Sequence, residues 1–226
     1  MPVEAVIFDL DGTLANFNLD YKTLRSEARS YLIRMGIPTS LVGVNESIFE
    51  MLKKAEIFLK NKGKSIETFD DVRNQVLTIA EKYEMEAAST TNLQVGAIET
   101  LKELNQMKLK IGLCSTSSEK AVNYILKRFK IQDFFQIVVS RDEVKYVKPS
   151  TEQFEMALTA LGVNPQAAVI IGDSLVDMQS SKEINAIAVG LPTGMSTFEQ
   201  LKKNGANYII TSLNDLPVLI KEINKD

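Results

Sequence analysis

Apolar positions follow two rhythms along this chain, and the change between them marks its organisation. The first run, Val3 to Phe8, is almost wholly apolar, which predicts a strand buried on both faces, as in a parallel sheet. From Asp20, placed to cap a helix, Leu24, Ala28, Tyr31, Leu32 and Met35 recur at helical spacing until Gly36-Ile37-Pro38 stops them. Ile48, Leu52, Ala55 and Leu59 form a second stripe that ends near Gly63. Val72, Val76, Ile79, Ala80 and Tyr83 form a third, and Thr68 with Asp71 approximates a capping box at its start. Residues 15–89 therefore read as an all-helical block inserted directly after a strand.

Beyond Asn92 short apolar runs alternate with helical stripes. Strands are predicted at 110–114, 137–139, 167–171, 186–189 and 208–210. Between them, Ile98, Leu101 and Leu104 mark one helix and Val122, Ile125, Leu126 and Phe129 the next. Phe154, Ala157, Leu158 and Leu161 mark a third, ended by Gly162, and Met178, Ser181 and Ile184 face inward from a fourth. This alternation predicts an α/β fold, a doubly wound parallel sheet covered on both sides. The expected division is a core of residues 1–14 and 90–226 carrying a helical insertion of residues 15–89.

Composition narrows the chemistry more than the fold. A chain of 226 residues with 45% apolar and 24% charged residues reads as an ordinary globular protein, one core with room for a smaller partner. A net charge of −3 and no basic stripe with interleaved aromatics argue against nucleic acid as a partner. No stretch is long enough to span a bilayer, and no basic region precedes a long apolar run at the N-terminus, so no membrane association is expected. Cys114 is the only cysteine, which rules out an internal disulfide and suits a reducing cytoplasm. A monomer needs no special assumption. Histidine is absent altogether, which removes His-ligated zinc, a Ser–His pair and a histidine relay. Acid–base work falls to Asp, Glu, Lys, Tyr or Cys.

Polar groups stand where the predicted strands end, the place where α/β sheets bind ligands. Asp9 and Asp11 follow the first strand two residues apart, spacing that a regular strand would send to opposite faces. For both to reach one site the chain must leave strand geometry at about Leu10, and Gly12 suits that bend. Ser115 follows the strand ending at Cys114, where a hydroxyl and free N–H groups at a helix start make an anion pocket. Thr116, Ser117 and Ser118 compete with it, and any of the four is equally suited to capping the helix. Lys148, with Lys145 as a nearby competitor, precedes Pro149, which favours an extended backbone. Asp173 reads either as a second site carboxylate or as the N-cap of the helix at Leu175, and Asp177 as a site group or a solvated helix charge. Cys114, inside an apolar run with nothing to activate it, reads as a buried structural thiol, and the methionines as core filler.

Together Asp9-Leu10-Asp11-Gly12-Thr13, Ser115, Lys148-Pro149 and Gly172-Asp173-Ser174-Leu175-Val176-Asp177 resemble the haloacid-dehalogenase superfamily of phosphotransferases, nearest its phosphoglycolate-phosphatase and β-phosphoglucomutase-like branch. The resemblance covers nearly the whole chain. It implies a Rossmann-like core whose helical insertion sits as a cap over the active site, and a Mg²⁺-dependent phosphatase acting on a small phosphate ester. Asp9 would be the nucleophile that forms an aspartyl-phosphate, and Asp11 the acid–base whose backbone carbonyl also reaches the metal. Asp9, Asp11 and Asp173 would hold Mg²⁺, with Asp177 fixing Lys148 or a metal-bound water. Gly12, Ser115, Thr116 and Lys148 would join Asp9 around the phosphoryl group. A β-phosphoglucomutase-like mutase shares these motifs, but the cap histidine of the sugar-phosphate mutases is missing here. A dehalogenase is disfavoured because that branch lacks an acid equivalent to Asp11, and a retired binding module because every expected catalytic group is present. Asn16, Tyr21, Lys22 and Arg25 lie close enough in the chain to reach a substrate, or are ordinary exposed groups.

Overall fold

The computed structural model describes residues 2–16, 18–194 and 196–225. It falls into two compact units, Met1–Phe17 with Thr90–Asp226, and Asn18–Ser89. The chain enters the second unit later than its helical pattern suggests, because residues just after the first strand are tied back to the first unit. Ala15 bridges both Asp11 and Leu93, and the Asn16 N–H donates to the Asn92 carbonyl at 2.8 Å.

In chain order the elements are β1 (Ala5–Phe8), α1 (Tyr21–Arg34), α2 (Ile48–Asn61), α3 (Ile66–Thr90), α4 (Ala97–Gln106), β2 (Lys110–Cys114), α5 (Glu119–Phe129) and β3 (Ile137–Val139). There follow α6 (Glu152–Leu161), β4 (Ala168–Gly172), α7 (Leu175–Glu183), β5 (Ile187–Gly190), α8 (Phe198–Lys203), β6 (Tyr208–Ile209) and α9 (Leu216–Ile223). The strands form one sheet in the order β3-β2-β1-β4-β5-β6, with every neighbouring pair parallel. β1 and β4 are buried along their whole length, as their unbroken apolar runs require when helices cover both faces.

The chain leaves β1 in one direction through β2 and β3, then returns to the other side of β1 for β4, β5 and β6. β1 and β4 therefore flank the point where the winding reverses, and ligands of open α/β sheets bind beyond the carboxyl ends of such strands. Their register is level: Phe8 stands opposite both Leu113 and Ile171, so the residues following β1, β2 and β4 emerge side by side.

The helical unit is held by one apolar cluster. Leu24, Ala28 and Leu32 of α1 join Met51, Leu52 and Ala55 of α2 and Val72, Val76 and Ala80 of α3. Asp20 caps α1 as its position suggests, accepting the Thr23 N–H at 3.1 Å. The start of α3 differs from the sequence expectation. Ser65 Oγ accepts the Thr68 N–H at 3.3 Å, so the helix begins at Ile66 and Thr68 lies inside its first turn. An N-cap oxygen serves a donor three residues on, and Ser65 stands at that distance from Thr68. No helix among the described residues is long and apolar enough to cross a membrane.

Candidate active site

Asp9 sits at the mouth of the sheet because β1 ends just before it. The strand stops at Phe8 rather than near Leu10, although the Asp9 N–H still reaches the Ile171 carbonyl at 2.9 Å. The Leu10 carbonyl then gathers the N–H groups of Thr13, Leu14 and Ala15, which closes a tight turn. At its crown Gly12 has φ +95°, a conformation that favours glycine, and a side chain there would meet the Asp173 carboxylate at 2.5–2.8 Å. A side chain at Gly194 would run into the same carboxylate. Two glycines thus leave the space that Asp173 occupies.

Lys148 joins the strand ends. Its ammonium lies 2.6 Å from Asp9 Oδ1 and 2.6 Å from Asp177 Oδ1, and donates to the Cys114 carbonyl at 3.0 Å. Burial by itself would push its pKa down, but the carboxylates of Asp177 and Asp9 outweigh that and hold it above the ordinary lysine value. Asp177 is only 1% exposed, so it is no solvated helix charge. Its second oxygen accepts from the Ser174 hydroxyl and, at 3.2 Å, from the Ser174 N–H, in a reciprocal cap at the start of α7. That cap belongs to Ser174, which leaves Asp173 to the site.

Asp9, Asp173 and Asp177 are all buried and bring one carboxylate oxygen each within 4.8 Å of the others. Thr13 Oγ1 donates to Asp173 at 3.4 Å. Burial raises the Asp9 pKa well above the ordinary value; Lys148 opposes this, while Asp177, Asp173 and Asp11 add to it. One ammonium among three carboxylates leaves the cluster net negative. An all-oxygen donor set of that sign fits a hard divalent cation such as Mg²⁺.

Asp11 is half-buried and turns its carboxylate elsewhere. Its Oδ2 accepts from the Ser117 hydroxyl at 2.7 Å and from the Ser115 hydroxyl at 3.5 Å. Burial pushes its pKa up, against the opposing effect of Ser117, Lys148 and Ser115. Ser115 Oγ also accepts the Ser117 N–H at 3.0 Å. The four hydroxyls competing after β2 are thereby sorted. Ser118 caps α5, Ser115 and Ser117 face Asp11, and Thr116 is half-buried between them. Cys114 is fully buried, and burial pushes its thiol pKa up, away from the thiolate needed for a nucleophile.

Lys145 is exposed, with its Nζ 5.0 Å from the centre of the Tyr146 ring. In the helical unit Arg25 stacks on Tyr21 at 5.1 Å and donates to the Asn45 carbonyl at 3.3 Å, while Lys22 is exposed. Asn16 is half-buried.

Several contributors escaped the sequence reading. Gln153 on α6 is completely buried and hydrogen-bonds Ser115, Val139 and Lys148. Its one legible signal is phase: Gln153 lies four residues before Ala157 and eight before Leu161, so a polar residue occupies the inward stripe. Thr193, whose hydroxyl donates to the Gly12 carbonyl, comes from the loop after β5 and carries no comparable signal.

Residues 6–191 match the family model of haloacid dehalogenase-like hydrolases. The chain is 25% identical to the pyrophosphatase PpaX of Listeria monocytogenes, over 97% of each protein. Among solved structures it resembles a hydrolase from Pseudomonas syringae, with TM-score 0.68, 24% identity and coverage of 97% of this chain and 99% of that one. It also resembles the crystal structure of a predicted phosphoglycolate phosphatase from Haemophilus somnus 129PT, with TM-score 0.65, 20% identity and coverage of 96% and 97%. At such identities the structural likenesses speak for the fold, whereas the family match spans most of the chain, strand ends included. A Rossmann-like parallel sheet, acidic groups following β1 and β4, and that match make this chain a member of the haloacid dehalogenase-like hydrolase family.

Proposed function

We propose that the chain is a Mg²⁺-dependent phosphatase that hydrolyses a small phosphorylated metabolite through an aspartyl-phosphate on Asp9. The observation that carries this reading is the convergence of Asp9, Asp173 and Asp177 on one another, with the Lys148 ammonium 2.6 Å from Asp9. The Asp9 and Asp173 carboxylates and the Asp11 backbone carbonyl would hold the cation, with Asp177 beside them. Bound there, Mg²⁺ offsets the repulsion between the carboxylates and an incoming phosphate.

In the first half-reaction an Asp9 carboxylate oxygen attacks phosphorus. The ester P–O bond breaks, and the leaving oxygen takes the proton held by Asp11. In the second, Asp11 accepts a proton from water, whose oxygen attacks the same phosphorus, releasing phosphate and restoring the Asp9 carboxylate. The raised pKa of Asp11 supports the first role, since it keeps a proton available at higher pH than an ordinary carboxylic acid would. Lys148 neutralises charge spread over the phosphoryl oxygens, and Ser115 and Thr116 donate to them together with the backbone at Gly12. Asp177 fixes the Lys148 ammonium.

The relatives bear on the substrate. One is named a pyrophosphatase and another a predicted phosphoglycolate phosphatase, so pyrophosphate and phosphoglycolate head the compounds to screen. The decisive experiment is turnover of p-nitrophenyl phosphate with Mg²⁺. Activity should vanish with a chelator and fall by about 10⁴-fold or more in Asp9→Asn. Turnover that survives in Asp9→Asn would exclude the covalent route.

A further inference from the structure

The β2–β3 ladder opens beside the proposed phosphate site, and a side chain closes the gap. Cys114 pairs with Val139, and the Ser115 N–H donates to the Val139 carbonyl at 2.9 Å. In a continuing parallel ladder the Ser115 carbonyl would take the N–H of Arg141, two residues beyond Val139. That N–H goes instead to the Ser117 carbonyl at 3.2 Å, because the chain after Ser115 has already turned toward α5. The Ser115 carbonyl would be left buried without its ladder donor, a costly arrangement.

Gln153 supplies the substitute. Its Nε2 donates to the Ser115 carbonyl at 2.7 Å and to the Val139 carbonyl at 3.3 Å, which uses both amide hydrogens. Its Oε1 accepts the backbone N–H of Lys148 at 3.3 Å, and its own carbonyl accepts from the Cys114 thiol at 3.4 Å. Lys148 is joined to Pro149 by a cis peptide bond, and its ammonium returns to the Cys114 carbonyl at 3.0 Å. One fully buried amide therefore ties the end of β2, the end of β3 and the loop that carries Lys148. A glutamine whose only task was to fill space would be replaceable by a hydrocarbon of the same length. This one spans the two segments that carry Ser115 and Lys148.

We propose that Gln153 is a positioning residue: its amide holds the backbones of Ser115 and Lys148 at a fixed separation, so that hydroxyl and ammonium act on the same phosphoryl group. This rests on the phosphatase reading above. Gln153→Met keeps the length and packing of the side chain but has no amide to offer. With p-nitrophenyl phosphate and Mg²⁺, kcat per folded molecule should fall by about 10- to 100-fold while KM stays within about threefold. Inhibition by orthovanadate, which mimics the five-coordinate transition state, should weaken by about the same factor as kcat, and inhibition by inorganic phosphate by less than about threefold. A purely structural glutamine would lower the melting temperature without moving the vanadate-to-phosphate ratio. A kcat and a ratio both within about twofold of the wild type would overturn the proposal, whatever the loss of stability. Should Gln153→Met fail to accumulate as folded protein, Gln153→Asn, whose amide is one methylene short, is read by the same two quantities. Wild-type protein without metal-dependent turnover would bring down the phosphatase reading as well; an active wild type beside an unchanged variant would sink only the role of Gln153.

Discussion

The two units of this protein bury different things. The helical unit, Asn18–Ser89, is packed around aliphatic and aromatic side chains, and Glu56 and Glu84 are its only buried charged groups among the described residues. At the carboxyl edge of the sheet Asp9, Ser115, Lys148, Gln153, Asp173 and Asp177 are all buried within a few residues of a strand end or a helix start. Burying polar groups in this way costs stability unless each is paired, and each carboxylate here answers to the shared ammonium, a hydroxyl or a neighbouring N–H. The contrast separates a unit whose sequence answers mainly to packing from an edge whose sequence answers mainly to electrostatics. Substitutions in the two places should therefore fail differently.

The sharpest division is expected at Lys148. Lys148→Met leaves Asp9 and Asp177 without the ammonium they share, so turnover should drop by about 10²–10³-fold. The metal-free protein should also lose about 3–5 kcal/mol, read by steady-state kinetics and denaturant unfolding. In the helical unit Met51 is fully buried, and Met51→Ala should cost about 2–5 kcal/mol. Its turnover per folded molecule should change by less than about threefold, because no proposed site residue lies on α2. A large kinetic effect without a stability loss would erase the contrast.

The acidic edge should also betray itself through pH. Asp9 and Asp11 have pKa values raised in the folded protein, so between the ordinary carboxylate range, about 4, and those raised values the folded state binds more protons than the unfolded one. Stability of the metal-free protein should then fall as pH rises through that window. Lys148, held above its ordinary value, contributes stability that is fully present until pH approaches about 10, so it does not alter the sign. Mg²⁺ at about 100 times its Kd should restore about 2.7 kcal/mol. Its effect on the melting temperature should be larger at about pH 8 than at about pH 5.5, where protons compete for the carboxylates. An equal Mg²⁺ effect at both would mean that the carboxylates are not its ligands. The smallest expected effect separates neighbours. Ser118→Ala should cost about 1 kcal/mol as a lost helix cap and leave turnover unchanged, whereas Ser115→Ala should slow turnover.

Much of this architecture was readable along the chain. Apolar runs and helical stripes placed every strand and the three helices of the insertion, because the periods of burial are local properties of consecutive residues. The polar residues at strand ends were legible for the same reason: Asp9 and Ser115 follow an apolar run immediately, and Asp173 follows one after Gly172. Alternatives that local pattern left open were closed by packing. Ser174 rather than Asp173 caps α7, Asp177 is buried rather than solvated, and Ser118 takes the cap that freed Ser115 and Ser117. The exit from β1 comes at Phe8 rather than at about Leu10, and α3 starts at Ser65's cap rather than at Thr68.

What periodicity does not contain is the order of the strands. Placing β4 beside β1 brings Asp173 to Asp9, and the loop before α6 delivers Lys148 to an acid 139 residues away in sequence. Gln153 became meaningful only once the β2–β3 ladder was seen to open at Ser115, since a glutamine on an inward helix face has no particular partner until the sheet supplies one. Hydrophobic spacing is decided residue by residue as each element forms, whereas the meeting of charges depends on how separate elements are laid against one another, and that is settled by the packing of the whole sheet.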